Sequence, residues 1–244
     1  MTDPSDPSDD PADGPEEDGL FGSRGRRVLV VGSGVVLLML LVWTGVQALR
    51  APAATPPVAA GQVRLGPEPG EAVDAYLARI PATLPARGER AVALVQLGPE
   101  VTAERAAALV GTAPVTQAVL RFPIPRVQTA LRFESVPAGA PLAAALDTAR
   151  QRAGYTAEAE AARLTDRPAA VARAEAAGYG APCACVLALV VSADRAGLDR
   201  LAAAPGVRAV EAAPVGVTPA ELALSPLLPE QTTAATPPPD DGPV

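Results

Sequence analysis

The longest uncharged hydrophobic run in the chain lies near its N-terminus, at Val28–Leu49. As an α-helix, its 22 residues extend about 33 Å, enough to cross a hydrocarbon core of about 30 Å. Arg24, Arg26 and Arg27 precede the run, whereas only Arg50 follows it closely. Because basic residues flank membrane spans mainly on the cytoplasmic side, the pattern predicts a single-pass helix with a cytoplasmic N-terminus. The lipid bilayer is then a partner through residues 28–49.

The same run has a second interpretation, as a cleaved signal peptide. Val46-Gln47-Ala48 resembles a small-x-small cleavage site, with cleavage after Ala48. However, the hydrophobic core of a signal peptide is only about 7–15 residues long and usually follows a basic region. This run is longer and the segment before it is acidic, so we favour the anchor.

Further along, hydrophobic runs of strand length alternate with helical patterns. Ala91–Leu97 reads AVALVQL, which is typical of a buried strand, and Val115–Phe122 reads as another. Between them, Thr102 can cap a helix over Ala103–Val110. The sequence therefore predicts a first strand–helix–strand unit.

A second unit repeats this order. Cys185–Val191 reads CVLALVV, a helix follows with Ser192 or Asp194 as its cap, and Val207–Ala212 reads as the closing strand. Two such units predict an α+β fold, built as a small α/β sandwich.

The residues between the two units predict one strand and three helices. Arg126–Glu134 alternates apolar and polar residues, as a strand with one buried face does. Helices are predicted at Pro141–Ala153, Ala157–Leu164 and Arg167–Ala177. The first should end at Gly154, and Thr156 and Asp166 should cap the second and third.

Composition then divides the whole chain into five parts. The predicted parts are a disordered acidic cytoplasmic tail at 1–27, the transmembrane helix at 28–49, a Pro-rich spacer with a short helix at 50–88, an extracytoplasmic α/β domain at 89–213 and a mostly irregular Pro-rich tail at 214–244. The short helix is placed at Glu71–Ile80, where apolar residues recur at helical spacing.

Missing residue types exclude several chemistries. The chain has no His, no Lys and no Asn, and all of its 20 basic residues are Arg. Catalytic triads with histidine, histidine metal sites and lysine Schiff bases are therefore excluded. The arginine bias is typical of a GC-rich bacterial genome, and the layout resembles that of single-pass membrane proteins of such bacteria. The plasma membrane of a bacterium is the predicted location.

Charge is distributed unevenly. Residues 1–27 carry a net charge of −5, which leaves only −2 for the rest of the chain. A nearly neutral outer domain without a basic stripe argues against nucleic acid as a partner. Carboxylates such as Glu158 and Glu160 stand two residues apart on a predicted helix, so they point to different faces and do not mark a catalytic pair.

The two cysteines, Cys183 and Cys185, stand two residues apart in PCAC. On a regular strand their Cα atoms lie about 6.5–7 Å apart, at or beyond the usual disulfide limit. Our first interpretation is therefore core packing. The second is a disulfide, within or between chains, which a bend before the strand would permit. The third is redox or metal chemistry.

One stretch, Leu198–Pro214, carries a resemblance. In LDRLAAAPGVRAVEAAP, Leu198 and Leu201 are spaced to face a sheet, and Pro205-Gly206 turns the chain towards the next strand. The stretch resembles the helix-to-strand end of ferredoxin-like modules, among them the propeptide-like domains that inhibit and chaperone subtilisin-type proteases. The resemblance implies a ferredoxin-like fold.

These observations predict a membrane-anchored, extracytoplasmic module that binds an unknown protein or cell-envelope component. No catalytic, cofactor-binding or metal-binding residues are predicted, and we do not expect an enzyme. Two alternatives remain open. One is a protease-inhibitor-like or propeptide-like chaperone module, and the other is a thiol-redox protein that uses Cys183 and Cys185.

Overall fold

A computed structural model describes residues 62–244 of the chain. The predicted acidic tail at 1–27 and the predicted transmembrane helix at 28–49 lie outside the described residues. Among residues 62–244, none of the helices is both long and apolar enough to cross a membrane.

The described residues form seven strands and five α-helices. The strands are β1 (Val63–Leu65), β2 (Arg90–Val101), β3 (Val115–Leu120), β4 (Arg132–Ser135), β5 (Val186–Asp194), β6 (Val207–Ala212) and β7 (Leu222–Leu224). The helices are α1 (Val73–Arg79), α2 (Ala103–Val110), α3 (Leu142–Ala161), α4 (Asp166–Tyr179) and α5 (Arg195–Ala202).

Five of the strands form one antiparallel sheet in the order β4-β3-β5-β2-β6. The units β2–α2–β3 and β5–α5–β6 interleave, because β5 pairs between β2 and β3 while β6 pairs with the other edge of β2. A separate parallel pair joins β1 to β7. The predicted α+β class and both strand–helix–strand units are confirmed.

Helix caps explain where the two unit helices begin. The Thr102 hydroxyl accepts a hydrogen bond from the backbone N–H of Arg105 at 3.3 Å, which starts α2 at the predicted residue. For α5, the carboxylate of Asp194, and not Ser192, accepts from the N–H of Gly197 at 2.8 Å. Each cap satisfies an N–H that the first helical turn leaves without a partner.

One face of the sheet packs against the helices. Along β2, Ala91, Ala93, Val95 and Leu97 point to this helical face, and all are buried. The contacting helical residues are also mostly alanine and leucine, among them Ala106, Ala145, Leu146, Ala149, Ala153, Leu198 and Leu201. Small side chains let the helices lie close to the sheet, which compensates for the low aromatic content.

The opposite face is covered by the two ends of the described chain. Residues 63–83 and 222–235, here called the terminal cover, pack on it through β1, α1, β7 and the irregular segments beside them. The buried residues of this face and its cover are Leu65, Val73, Tyr76, Ile80, Leu94, Val119, Leu187, Val190, Ala209 and Leu227. Both faces of the central strands are therefore buried, which explains their nearly continuous apolar sequences.

The terminal cover includes the described part of the predicted Pro-rich spacer at 50–88. There β1 and α1 contribute buried side chains to the second face of the sheet. The short helix itself is confirmed, because α1 buries Val73 and Tyr76 as the periodicity predicts. The residues beyond 213 are largely irregular, as predicted, but they too pack on the folded unit.

A buried carboxylate joins the cover to the sheet. Glu211 on β6 accepts hydrogen bonds from the N–H of Gly66 at 2.6 Å and from the hydroxyl of Tyr76 at 2.9 Å. Arg79 on α1 donates to the same carboxylate at 3.2 Å. Burial, together with the nearby charge of Glu211, raises the pKa of Tyr76 far above its ordinary value, so its hydroxyl stays protonated and donates.

Gln96, buried in the middle of β2, forms hydrogen bonds with the terminal cover. Its side-chain oxygen accepts from the N–H of Leu227 at 2.7 Å, and its amide nitrogen donates to the hydroxyl of Tyr76. The polar residue in the AVALVQL run therefore binds both parts of the terminal cover.

The two long helices differ from prediction. A helix end was expected at Gly154 and a new cap at Thr156, but α3 continues through both residues. A Cβ at Gly154 would lie 3.1 Å from the Cβ of Tyr179, so this glycine serves close helix packing. The predicted cap Asp166 is instead the first residue of α4, and its side chain makes no capping hydrogen bond.

The predicted strand at Arg126–Glu134 is only partly correct. The observed strand β4 spans Arg132–Ser135, and its faces do not follow the predicted alternation. Phe133 is half-exposed at the sheet edge, whereas Arg132 is buried. An ion pair with a helix, described below, accounts for the burial of this arginine.

Candidate functional site

The two cysteines form a disulfide, with Cα atoms 5.4 Å apart. Our first interpretation, core packing as free cysteines, is therefore wrong, and the second is correct for a bond within the chain. The chain bends at Ala184, before β5 begins at Val186, and this bend brings the two residues closer than a regular strand would. Cys185 is buried and Cys183 is partly exposed.

A surface groove runs between α3 and α4 and encloses about 620 Å³. This helix groove is lined by Arg150, Gln151, Gly154, Tyr155, Glu158, Ala161, Arg173, Ala176, Ala177, Tyr179 and Gly180. Its volume lies in the range of ordinary ligand-binding clefts.

The floor of the helix groove is made of small residues. The glycine and alanine residues that line it are Gly154, Ala161, Ala176, Ala177 and Gly180. Their short or absent side chains leave the helix backbones close to the groove. The floor therefore permits close approach of a ligand.

The walls of the helix groove carry the polar and aromatic groups. Tyr155 is 69% exposed, the largest value among the exposed large hydrophobic residues of the described chain. Glu158 and Arg173 are also exposed. Arg150 closes one end and is held in place, because it pairs with Asp147 at 2.7 Å and donates to the carbonyl of Ala181 at 3.1 Å.

A first buried charge cluster lies on the sheet near the C-terminal tail. Arg121 pairs with Glu100 at 3.0 Å and donates to Glu230 at 2.8 Å. Burial raises the pKa of Glu100. For Glu230 burial is the largest single cause and acts in the same direction, but the hydrogen bond from Arg121, a backbone hydrogen bond and the charge of Arg121 together hold its pKa below the ordinary value.

A second cluster joins β4 to the helices. Arg132 donates to Glu175 at 2.5 Å and to Glu160 at 2.8 Å, and Glu175 also accepts from the N–H of Ala130 at 2.6 Å. The hydrogen bond from Arg132 lowers the pKa of Glu160. Two buried atoms in the described residues, Nε of Arg132 and the hydroxyl of Tyr179, have no hydrogen-bond partner.

These clusters hold carboxylates in ion pairs and not across a reaction cleft. Glu158 lines the helix groove while Glu160 binds Arg132, so the two point to different faces as predicted. Asp199 pairs with Arg195 at 3.0 Å on α5. Within residues 62–244, no three side chains of the His, Cys, Asp or Glu types are grouped so that they could hold a metal ion.

Sequence reasoning missed most of the buried polar residues. The missed residues are Gln96, Arg121, Arg132, Glu175 and Glu211, which are all buried. One signal was present in the sequence: each lies within or beside an apolar run, where a polar residue must find a partner. The identity of the partner was not predictable, because most partners are distant in sequence.

The chain matches no protein-family model, no curated protein and no solved structure. The case for its function therefore rests on its residues and their geometry.

Proposed function

We propose that this protein is a membrane-anchored binding module whose α+β domain lies outside the cytoplasm and holds a partner in the helix groove. The helix groove carries the proposal, because it combines an accessible floor with exposed aromatic and charged walls. The second face of the sheet is not available to a partner in the same way, because the terminal cover occupies it.

The disulfide supports the proposed compartment. Disulfides persist in oxidising environments outside the cytoplasm and are rare inside it. The bond between Cys183 and Cys185 agrees with the direction that the arginines before residues 28–49 give to the predicted span. Two independent features, one in each part of the chain, therefore favour the same side of the membrane.

The finer fold assignment is also part of the proposal. In the order β6-β2-β5-β3, the two strand–helix–strand units have the interleaved arrangement of a ferredoxin-like module. On this assignment, β4, α3 and α4 lie outside the basic module. The helix groove is then an addition, and functional sites are often grafted on folds in this way.

The proposed occupant is an extended polypeptide segment of a cell-envelope protein. A backbone can approach the glycine and alanine floor, and Gln151, Glu158 and Arg173 offer donors and acceptors along the walls. Tyr155 supplies a large exposed ring, of the kind that often anchors protein interfaces.

Site-specific photo-cross-linking in intact cells tests the proposal. A photoreactive phenylalanine derivative replaces Tyr155 in the full chain, and in a matched control it replaces Val215, which is also exposed but lies outside the groove. We expect a discrete cross-linked protein with position 155 and none with position 215. Arg173→Glu in the position 155 variant should weaken the cross-link without unfolding the domain.

Two results would contradict groove binding. One is the same cross-linked species at both positions, and the other is no species at position 155 in cells that carry the full chain in their membrane fraction. Circular dichroism of the variants separates a lost contact from a lost fold.

A second candidate, a propeptide-like inhibitor, is favoured by one observation. The α5-to-β6 connection turns at Gly206, which has φ of 100°, and the strand begins at Val207 as the resemblance implies. The assay adds the purified full chain, in detergent, to extracellular serine proteases of the subtilisin type. Inhibition at micromolar concentration would favour this candidate, and unchanged rates would remove it.

A further inference from the structure

The disulfide has an uneven environment. Cys185 is only 1% exposed and packs in the core of the helical face, while Cys183 is partly exposed. The neighbours of Cys183 on the chain, Pro182 and Ala184, are exposed. Of the two cysteines, Cys183 is therefore the one that an incoming thiolate can approach from solvent.

The bond contributes little to holding the fold together. It closes a ring of only three residues, and the stabilisation expected from a disulfide falls as the ring becomes shorter. Backbone hydrogen bonds hold the same place independently: the N–H of Cys185 donates to Val101 at 3.1 Å, and its carbonyl accepts from Arg121 at 2.8 Å. Stabilisation of the fold alone is therefore a weak explanation for the disulfide.

The segment before the disulfide is fixed by Arg150. This buried guanidinium donates to the carbonyls of Tyr179 and Ala181, so the chain leading to Cys183 is held against α3. After reduction, Cys183 would stay close to Cys185, and the bond could form again without a search through loop conformations. The chain has no third cysteine to compete for either sulfur.

We propose that Cys183–Cys185 is a thiol–disulfide exchange site, which passes its disulfide to a dithiol of a partner protein. Cys183 carries the sulfur that is attacked, and the buried Cys185 carries the leaving sulfur. The exchange site is separate from the proposed binding in the helix groove, and neither requires the other.

The transfer occurs in two balanced steps. A thiolate of the partner attacks Sγ of Cys183, the bond between the two sulfurs breaks, and the electron pair leaves on Sγ of Cys185, which takes up a proton. The second thiolate of the partner then attacks the partner's own sulfur in the mixed disulfide. Cys183 leaves as a thiolate, the partner is oxidised by two electrons, and the domain is reduced by two.

Reduction of the full-length protein in detergent by dithiothreitol is the first test. Thiols are counted by alkylation and mass spectrometry over time, and the rate of global unfolding is measured in the same buffer. We expect a reduction rate that grows in proportion to dithiothreitol and exceeds the unfolding rate by roughly tenfold or more. A rate that levels off at the unfolding rate would overturn the proposal, because the sulfur would then be reached only in the unfolded chain.

Two matched variants test the division of roles. In Cys185→Ser only the thiol of Cys183 remains, and in Cys183→Ser only that of Cys185. With oxidised glutathione, we expect the mixed disulfide to form on Cys183 roughly tenfold faster than on Cys185. Equal rates, or a faster reaction at Cys185, would contradict the assignment. The reduction test uses the unaltered chain, so it decides the question even where a variant fails to fold.

Discussion

The two faces of the sheet are buried by different means. The helical face is covered by α2, α3 and α5, which are close in sequence to the strands that they contact, and its core is almost wholly apolar. The second face is covered by residues 63–83 and 222–235, which come from the two ends of the described chain and contain only short helices and strands. Its apolar contacts surround buried polar groups at Gln96 and Glu211.

This difference teaches how each face is specified. Apolar burial is non-directional, so a helix with the right periodicity finds the helical face. The two parts of the terminal cover pair with each other through backbone hydrogen bonds, as in β1 with β7. Directional bonds to Glu211 and Gln96 then attach them to the sheet. The second face should therefore depend strongly on a few polar residues.

Removal of the Glu211 carboxylate should have the largest effect. Glu211→Ala leaves the N–H of Gly66, the hydroxyl of Tyr76 and the guanidinium of Arg79 without their shared acceptor. The N–H and the hydroxyl are buried, and a buried polar group left without its partner costs about 1–3 kcal/mol. The Arg79 side chain is 42% exposed and keeps its ion pair with Glu71, so it adds little to this loss. Urea unfolding of the full chain in detergent measures this loss, and Glu211→Gln is the control because it keeps the shape and one acceptor. A loss under about 1 kcal/mol would show that the network does not hold the cover.

The next prediction compares the faces directly, at two adjacent valines in the centre of β5. Val190 points to the second face and Val191 to the helical face, and both are fully buried. We expect Val190→Ala and Val191→Ala each to lower the free energy of unfolding by about 2 kcal/mol, since each removes buried methyl groups and leaves a cavity. If the terminal cover were loose, Val190→Ala would lower the free energy of unfolding much less than Val191→Ala does.

Removal of the disulfide, which lies on the helical face, should lower the stability by a smaller amount. Cys183→Ala together with Cys185→Ala removes a ring of three residues, for which the chain-entropy relation gives about 1.5 kcal/mol. Thermal unfolding of this variant and of the unaltered chain, with and without reductant, measures the change. The reductant should lower the stability of the unaltered chain about as much as the double substitution does. A much larger loss with reductant would conflict with this value.

The smallest expected effect is the change in stability at low pH, which depends on individual carboxylates. Burial alone would raise the pKa of Glu230, but its hydrogen bonds and the charge of Arg121 together lower it, so its stabilisation is present at neutral pH and is lost as pH falls through the folded-state value. Burial raises the pKa of Glu100, so its contribution has the opposite sign. At pH 7 we expect Glu230→Gln to cost under about 1 kcal/mol, since that side chain is 40% exposed.

The matched variant Glu100→Gln should be neutral or slightly stabilising at pH 7. Below pH of about 4.5 the unaltered chain should lose stability, and Glu230→Gln should lose less of it than Glu100→Gln does. Urea titrations at several pH values measure these slopes. If stability depended on pH equally in the two variants, the assigned directions of the two pKa shifts would be contradicted.

The sequence predicted those parts of the fold that depend on local patterns. Thr102 and the runs beside it specified β2–α2–β3, and Val207–Ala212 was predicted at its observed bounds, because caps and periodicity are local signals. The terminal cover was not predicted, since β1 and β7 have three residues each and pair across the whole domain. Too few residues carry a pattern in such strands.

The candidate sites were predictable only in part. The spacing of Cys183 and Cys185 was visible, but the bend at Ala184 that permits their bond depends on tertiary pairing with Val101 and Arg121. The helix groove was not predicted, because Gly154 was interpreted as the end of a helix. Only the position of Tyr179 on the neighbouring helix shows why a glycine is needed inside α3.

The central claim is that residues 63–83 and 222–235 seal the second face of the sheet, while the helix groove stays open to solvent. Hydrogen–deuterium exchange of the full-length protein tests it most directly. We predict that amides of Tyr76 and Leu227 exchange about 100-fold or more slowly than those of an unstructured chain, as do the amides at the centre of β2. Exchange of the terminal cover at the unstructured rate, with β2 still protected, would contradict the account.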